Sequence, residues 1–121
     1  MSFNPLELVI DEPLEVDEAL LCGISSFKAS AKFELLPGVD TSDERARLSK
    51  ILDDLTDRLI SEISSHPRKF WVMEQFQHAL IAVQYEDTEG REHFGIELER
   101  LMDVLRIESS SGLLNYYLVG I

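Results

Sequence analysis

Apolar residues recur at spacings of three and four along nearly the whole chain, and this period constrains the fold more than any other feature. It matches one face of an α-helix and conflicts with the alternation of a half-buried strand. Val16, Leu20, Ile24, Phe27, Ala31 and Leu35 form a first stripe that runs to Pro37-Gly38, and Pro13 suits the first turn of that helix. Thr41 and Glu44 stand at capping-box spacing ahead of a second stripe, Leu48, Ile51, Leu52, Leu55, Leu59 and Ile63. That stripe stops before Pro67, because the residue preceding a proline is pushed out of the α region. A third stripe follows in Phe70, Met73, Phe76, Leu80 and Val83, widened by Trp71 and Ile81. The fourth is Phe94, Leu98, Leu101, Met102 and Leu105, with Asp87 or Thr88 placed to cap it. Ser109 to Ser111 offer a cap for a short last helix built on Leu113, Leu114, Tyr117 and Leu118.

These stripes predict an all-α fold: four main helices plus a short C-terminal helix, packed as an up-and-down or irregular bundle. A chain of 121 residues and 13.8 kDa can bury about two-thirds of its unfolded surface, enough for one core without disulfides or metals. Residues 1–121 therefore read as a single helical domain. Residues 1–12, where Leu6, Leu8 and Ile10 alternate, read as an extended N-terminal arm, with a frayed helical turn as the alternative.

Charge narrows the function classes. The chain carries 23 Asp and Glu against 11 Lys and Arg, a formal net charge of −12. Nucleic acid must be met by clustered cations that release its counterions, and anionic membrane surfaces need the same, so neither is expected as a partner. The acids concentrate in residues 1–27, which hold no base, and in residues 86–99, which hold only Arg91. If both segments start helices, folding can bring the 11–18 stretch and the 86–92 loop to one acidic face. The expected partner of such a face is a protein with a basic surface. The carriers would be Glu12, Glu15, Asp17, Glu18, Glu86, Asp87, Glu89 and Glu92, with Trp71 as an aromatic anchor flanked by Arg68 and Lys69.

Catalytic signatures are missing. Cys22, the single cysteine, lies among acids that would not lower its thiol pKa, and it reads as a buried apolar thiol. No Gly-x-Ser-x-Gly elbow is present, and the six glycines are never grouped into a phosphate cradle. Glu74 and His78, and Glu89 and His93 with Glu97 beyond, stand four apart. The di-metal carboxylate bundles instead use a spacing of three and add a core carboxylate from each of two further helices. Neither of the first two helices offers a carboxylate at an evident core position. No metal, cofactor or catalytic residue is expected. One cysteine, no basic leader followed by an apolar run, and no run of about 20 apolar residues point to a cytoplasmic protein.

The stretch from about Phe70 to Leu114 carries Glu86-Asp87-Thr88-Glu89-Gly90-Arg91-Glu92, Leu98-Glu99-Arg100-Leu101-Met102-Asp103 and Ile107-Glu108-Ser109-Ser110-Ser111-Gly112-Leu113-Leu114. In these it resembles a bacterial domain-of-unknown-function family of small acidic helical proteins. The resemblance covers the C-terminal half, implies a compact helical protein of bacterial type, and implies no chemistry. The expected function is a non-enzymatic protein-binding module, in its most concrete form an immunity or antitoxin-type inhibitor of a basic toxin. An acidic secretion chaperone or adaptor is the alternative, and an enzyme or metal-binding bundle a further one.

Overall fold

The computed structural model describes residues 3–30, 32, 33 and 42–119. A 3₁₀ turn at Pro5–Leu8 precedes five α-helices: α1 (Glu18–Ala29), α2 (Ser42–Glu62), α3 (Lys69–Val83), α4 (Thr88–Leu105) and α5 (Leu113–Leu118). Among the described residues there is no strand, only an isolated antiparallel bridge between Pro13 and Arg68. The fold is all-α.

The long-helix pairs α1–α4 and α2–α3 run in opposite directions. Asp17 meets Arg106, Gly23 meets Val104 and Phe27 lies under Arg100, which sets α1 antiparallel to α4. Arg58 donates to Gln75, and Asp54 shares a small cleft with His78, which sets α2 antiparallel to α3. Helix α1 packs between α2 and α4, α3 packs between α2 and α4 on the other side, and α5 lies on α3 and α4. The core they enclose includes Leu20, Ile24, Leu52, Leu59, Phe76, Leu80, Phe94 and Leu101, all nearly or fully buried.

Helix α1 is shorter than the stripe predicts at both ends. It does not begin at Pro13, because the backbone there is used elsewhere: Leu14 N donates to Pro67 O at 2.8 Å and Lys69 N to Glu12 O at 2.9 Å. It begins after Asp17, whose carboxylate accepts from Leu20 N at 2.8 Å. It ends at Ala29, where the Lys32 ammonium covers the carbonyls of Lys28 and Ser30. Phe33 then takes a left-handed φ of +62° and turns inward, stacking on Phe94 at 6.3 Å with rings 5° from parallel. Such a φ is uncommon for an aromatic residue, and burial of the ring offsets it. The stripe positions Ala31 and Leu35, the Pro37-Gly38 stop and the Thr41 cap lie outside the described residues.

The arm is not extended throughout. Asn4 caps the 3₁₀ turn, Pro5 and Leu6 are buried, and Leu8 and Ile10 of the alternating set are exposed. On α3 Met73, Phe76, Leu80 and Val83 are buried as expected, but Val72 and Ala79 widen the face instead of Ile81, and Phe70 and Ile81 are 37% and 42% exposed. Lys69 is the other surprise. It is buried beneath the arm, and its ammonium donates to Ser111 Oγ at 3.1 Å.

Two carboxylates tie the N-terminal segment to the bundle. Asp11 accepts from Arg68 Nε at 2.8 Å and from Phe70 N at 2.9 Å, so a remote residue caps α3, whose own N-cap, Arg68, makes no side-chain cap bond. Asp17 accepts from both Arg106 terminal nitrogens at 3.0 and 3.1 Å while capping α1. Arg106 closes α4 at φ 62°, where glycine is usual, and the same guanidinium also reaches Glu15 O. The guanidinium of Arg68 holds the Asp11 carboxyl below its ordinary value, and that of Arg106 does the same for Asp17. A carboxyl depressed on folding stabilises fully above its unfolded value, and the contribution is lost as pH falls through the folded one. Thermal melts of Asp11→Asn and Asp17→Asn should lie below wild type at about pH 7 and converge with it towards about pH 2. A deficit unchanged at acid pH would show that charge is not what these residues contribute.

Candidate functional site

The acidic residues singled out in the sequence do not form one face. Because α1 and α4 are antiparallel, the 11–18 segment sits beside the C-terminal end of α4. The 86–92 segment sits at the other end, about 25 Å away along an 18-residue helix at 1.5 Å per residue. The contact between Asp17 and Arg106 makes this explicit.

Several of these carboxylates are also spent within the fold. Glu86 is half-buried and accepts from Arg47 Nε and Nη2 at 3.1 and 3.0 Å. Asp87 caps α4 through Gly90 N at 2.8 Å. Asp17 is the cap and clamp of α1. Glu12, Glu15 and Glu18 are exposed at one end of the bundle, Glu89 and Glu92 at the other. Trp71 is half-buried with its ring stacked on His66 at 5.1 Å, and the two line a small cleft with Phe70 and Arg68, whose charge Asp11 already meets.

Other expectations change with burial. Cys22 is exposed on the outer side of α1, because the core-facing positions there are Leu20, Ile24 and Phe27. Helix α2 does carry a buried carboxylate, Glu44, and α4 carries a second, Glu97, which Arg100 Nη1 holds at 2.8 and 2.9 Å. Among the described residues no three His, Cys, Asp or Glu side chains are grouped as metal ligands would be.

A further surface feature is the seam between α4 and α5. The core takes Phe94, Leu98, Leu101 and Leu105 from α4, so the opposite ridge of that helix must face outward, and it reads Glu92, Ile96, Glu99, Asp103. Two concavities lie along it. One, of about 560 Å³, is bounded by Glu92, Gly95, Ile96, Leu118 and Val119; the other, of about 330 Å³, by Asp103, Glu108, Ser110 and Asn115. Glu99 borders both, so the two lie end to end along the seam, which is called the furrow below. Gly95 lets α5 close onto α4 beside it, since a Cβ there would stand 2.6 Å from Leu118 Cδ1 and hold the two helices apart.

Among the described residues, Glu92, Glu99, Asp103 and Glu108 form no ion pair. Arg91, beside this ridge, donates to Gln84 O at the end of α3 and to Thr88 Oγ1 on its own helix. Glu99, Asp103, Glu108 and Ile96 were not singled out as site residues from the sequence. The signal was available in the spacing, as an isoleucine inside an otherwise acidic 92, 96, 99, 103 ridge opposite the apolar stripe.

Comparison with known proteins adds a family and no activity. The family model described as a domain of unknown function, DUF4844, matches residues 16–121, so the chain belongs to that family. The match extends well beyond the C-terminal half in which the resemblance was seen. No curated protein and no solved structure matches the chain.

The two kinds of carboxylate on α4 should respond oppositely to neutralisation. Glu99 and Asp103 are like charges one turn apart, so Glu99→Gln should leave stability unchanged or raise it by about 0.2–0.5 kcal/mol at low salt, with the gain screened at high salt. Glu97→Gln removes the charge that Arg100 holds, and should lower the melting temperature. A destabilised Glu99→Gln would mean that the fold, and not a surface role, needs this charge.

Proposed function

We propose, for this member of a family without an assigned role, that it is a non-enzymatic module that binds a protein with a basic surface in the cytoplasm. An immunity or antitoxin-type inhibitor of a basic toxin is the most concrete form of that role. The observation that carries the reading is the uncompensated row Glu92, Glu99, Asp103 and Glu108 beside exposed Ile96 and Val119. Carboxylates used for folding are paired or capping here, as Asp11, Asp17, Glu86, Asp87 and Glu97 are. Those of the furrow do neither, and like charges so placed cost stability. A partner bearing Lys and Arg would relieve that cost on binding. It would also be steered to the site by a field that a net charge of −12 extends over the surface.

The same features argue against nucleic acid and anionic membranes as partners. A predominantly acidic ridge repels phosphate backbones and anionic lipid. Among the described residues no helix is long and apolar enough to cross a membrane.

The test is kinetic. A basic partner recovered from the native cell should associate with wild type at a rate that falls steeply with salt. With Glu92, Glu99, Asp103 and Glu108 replaced by Gln or Asn, association should slow by about tenfold or more and lose most of its salt dependence. Recovery of no basic partner, together with no protection by this protein against the product of an adjacent toxin-like gene, would overturn the reading.

A further inference from the structure

The furrow has a length, a polarity and a mouth that constrain its occupant further than charge does. From Thr88 to Asp103 it follows α4 for 15 residues, about 22 Å at 1.5 Å per residue. Its upper half is apolar, with Ile96 and Val119 53% and 62% exposed and Leu118 half-buried. Its lower half is carboxylate, from Glu99 to Glu108. It offers no sheet edge, so an extended peptide would find no ladder of backbone groups to pair with, whereas a helix brings its own hydrogen bonds.

We propose that the α4–α5 furrow is the docking groove for one basic amphipathic helix of about four turns. Its apolar face seats on Ile96, Leu118 and Val119, and its Lys or Arg side chains pair with Glu92, Glu99 and Asp103. This rests on the reading of the protein as a binder of basic partners, and names the element of the partner that is bound. The apolar floor of the furrow is Leu118, which seats on Gly95 where a Cβ would stand 2.6 Å from Leu118 Cδ1. The rim keeps an excess of negative charge, with Glu92, Glu99, Asp103 and Glu108 against the guanidinium of Arg91, which donates to Gln84 O and Thr88 Oγ1. A second copy of this chain is the wrong occupant, since a two-fold pairing of the furrow with itself would set its acidic rows against each other.

The probe is a synthetic peptide of about 15 residues, with leucines at i, i+4, i+7 and i+11 and lysines on the remaining face. Its affinity for the full chain is measured by fluorescence anisotropy in low and moderate salt. Binding should be saturable at a ratio of one to one. A scrambled peptide of the same composition, the Ile96→Ser protein, and the Glu99→Gln/Asp103→Asn protein should each weaken it at least tenfold, while Glu62→Gln, on an exposed site of α2, leaves it unchanged. Ile96 is exposed, so circular dichroism should report an unaltered fold in its variant.

Equal binding of the scrambled peptide, or full affinity with Ile96→Ser, would overturn the helical groove and leave a purely electrostatic surface, with the basic-partner reading intact. Light scattering that shows a dimer broken by Ile96→Ser would overturn it in favour of a second copy. No binding of either peptide would overturn it as well. The basic-partner reading is then judged separately, by association kinetics with the cellular partner.

Discussion

Burial of the α4 apolar stripe is the constraint from which the rest of the surface follows. Phe94, Leu98, Leu101 and Leu105 are fully buried, each worth about 1.5–3 kcal/mol removed from water. A helix has one orientation about its axis, so fixing that stripe in the core fixes Glu92, Ile96, Glu99 and Asp103 on the outside. The partners of α4 then determine what flanks the ridge. Helix α1 covers one side through Gly23 against Val104, where a Cβ would stand 2.9 Å from Cγ1, and α5 covers the other through Gly95 against Leu118. Both approaches depend on a glycine. The furrow is the space left where the six-residue α5 is too short to cover α4 along its length.

The polar clamps at the ends of the helices set the direction of the bundle and, with it, the separation of the acids. Arg106 takes a left-handed backbone at the end of α4 and in return places its guanidinium on Asp17 at the start of α1. Arg47 on α2 holds Glu86 just ahead of α4. These two contacts take Asp17 and Glu86 from the two acidic segments, and they place those segments at opposite ends. Of the carboxylates that form no ion pair among the described residues, Glu92, Glu99, Asp103 and Glu108 line the furrow, while Glu12, Glu15 and Glu18 stay at one end of the bundle.

The helices were legible because their stripes are long: every α4 position named from the period is buried, and the cap at Asp87 holds, while α5 has Gly112 at its N-cap and the expected serines contribute only through Ser110 Oγ, which accepts from Leu114 N. Legibility failed where a remote contact outbid a local rule. Pro13 fits a helix start, yet its neighbours bond to residues 67–69. Phe70 fits the α3 stripe, yet the backbone there is capped by Asp11, and Val72 faces the core instead. Cys22 fits a buried thiol by residue type, yet the period of α1 places it outside. The site was legible in kind, as an acidic surface with an apolar component, and not in place. Deciding which carboxylates are spent on Arg68, Arg106 and Arg47 requires knowing which helix ends meet. That information is tertiary.

The account stands on one spatial claim, that basic partners engage the α4–α5 furrow and not the bundle ends. Amide chemical-shift mapping of the full chain during titration with a basic helical partner measures this directly. The account predicts perturbations confined to the outward positions of residues 88–103 and to residues 108–119. Changes centred on residues 11–18, or on the cleft of His66 and Trp71, would contradict it.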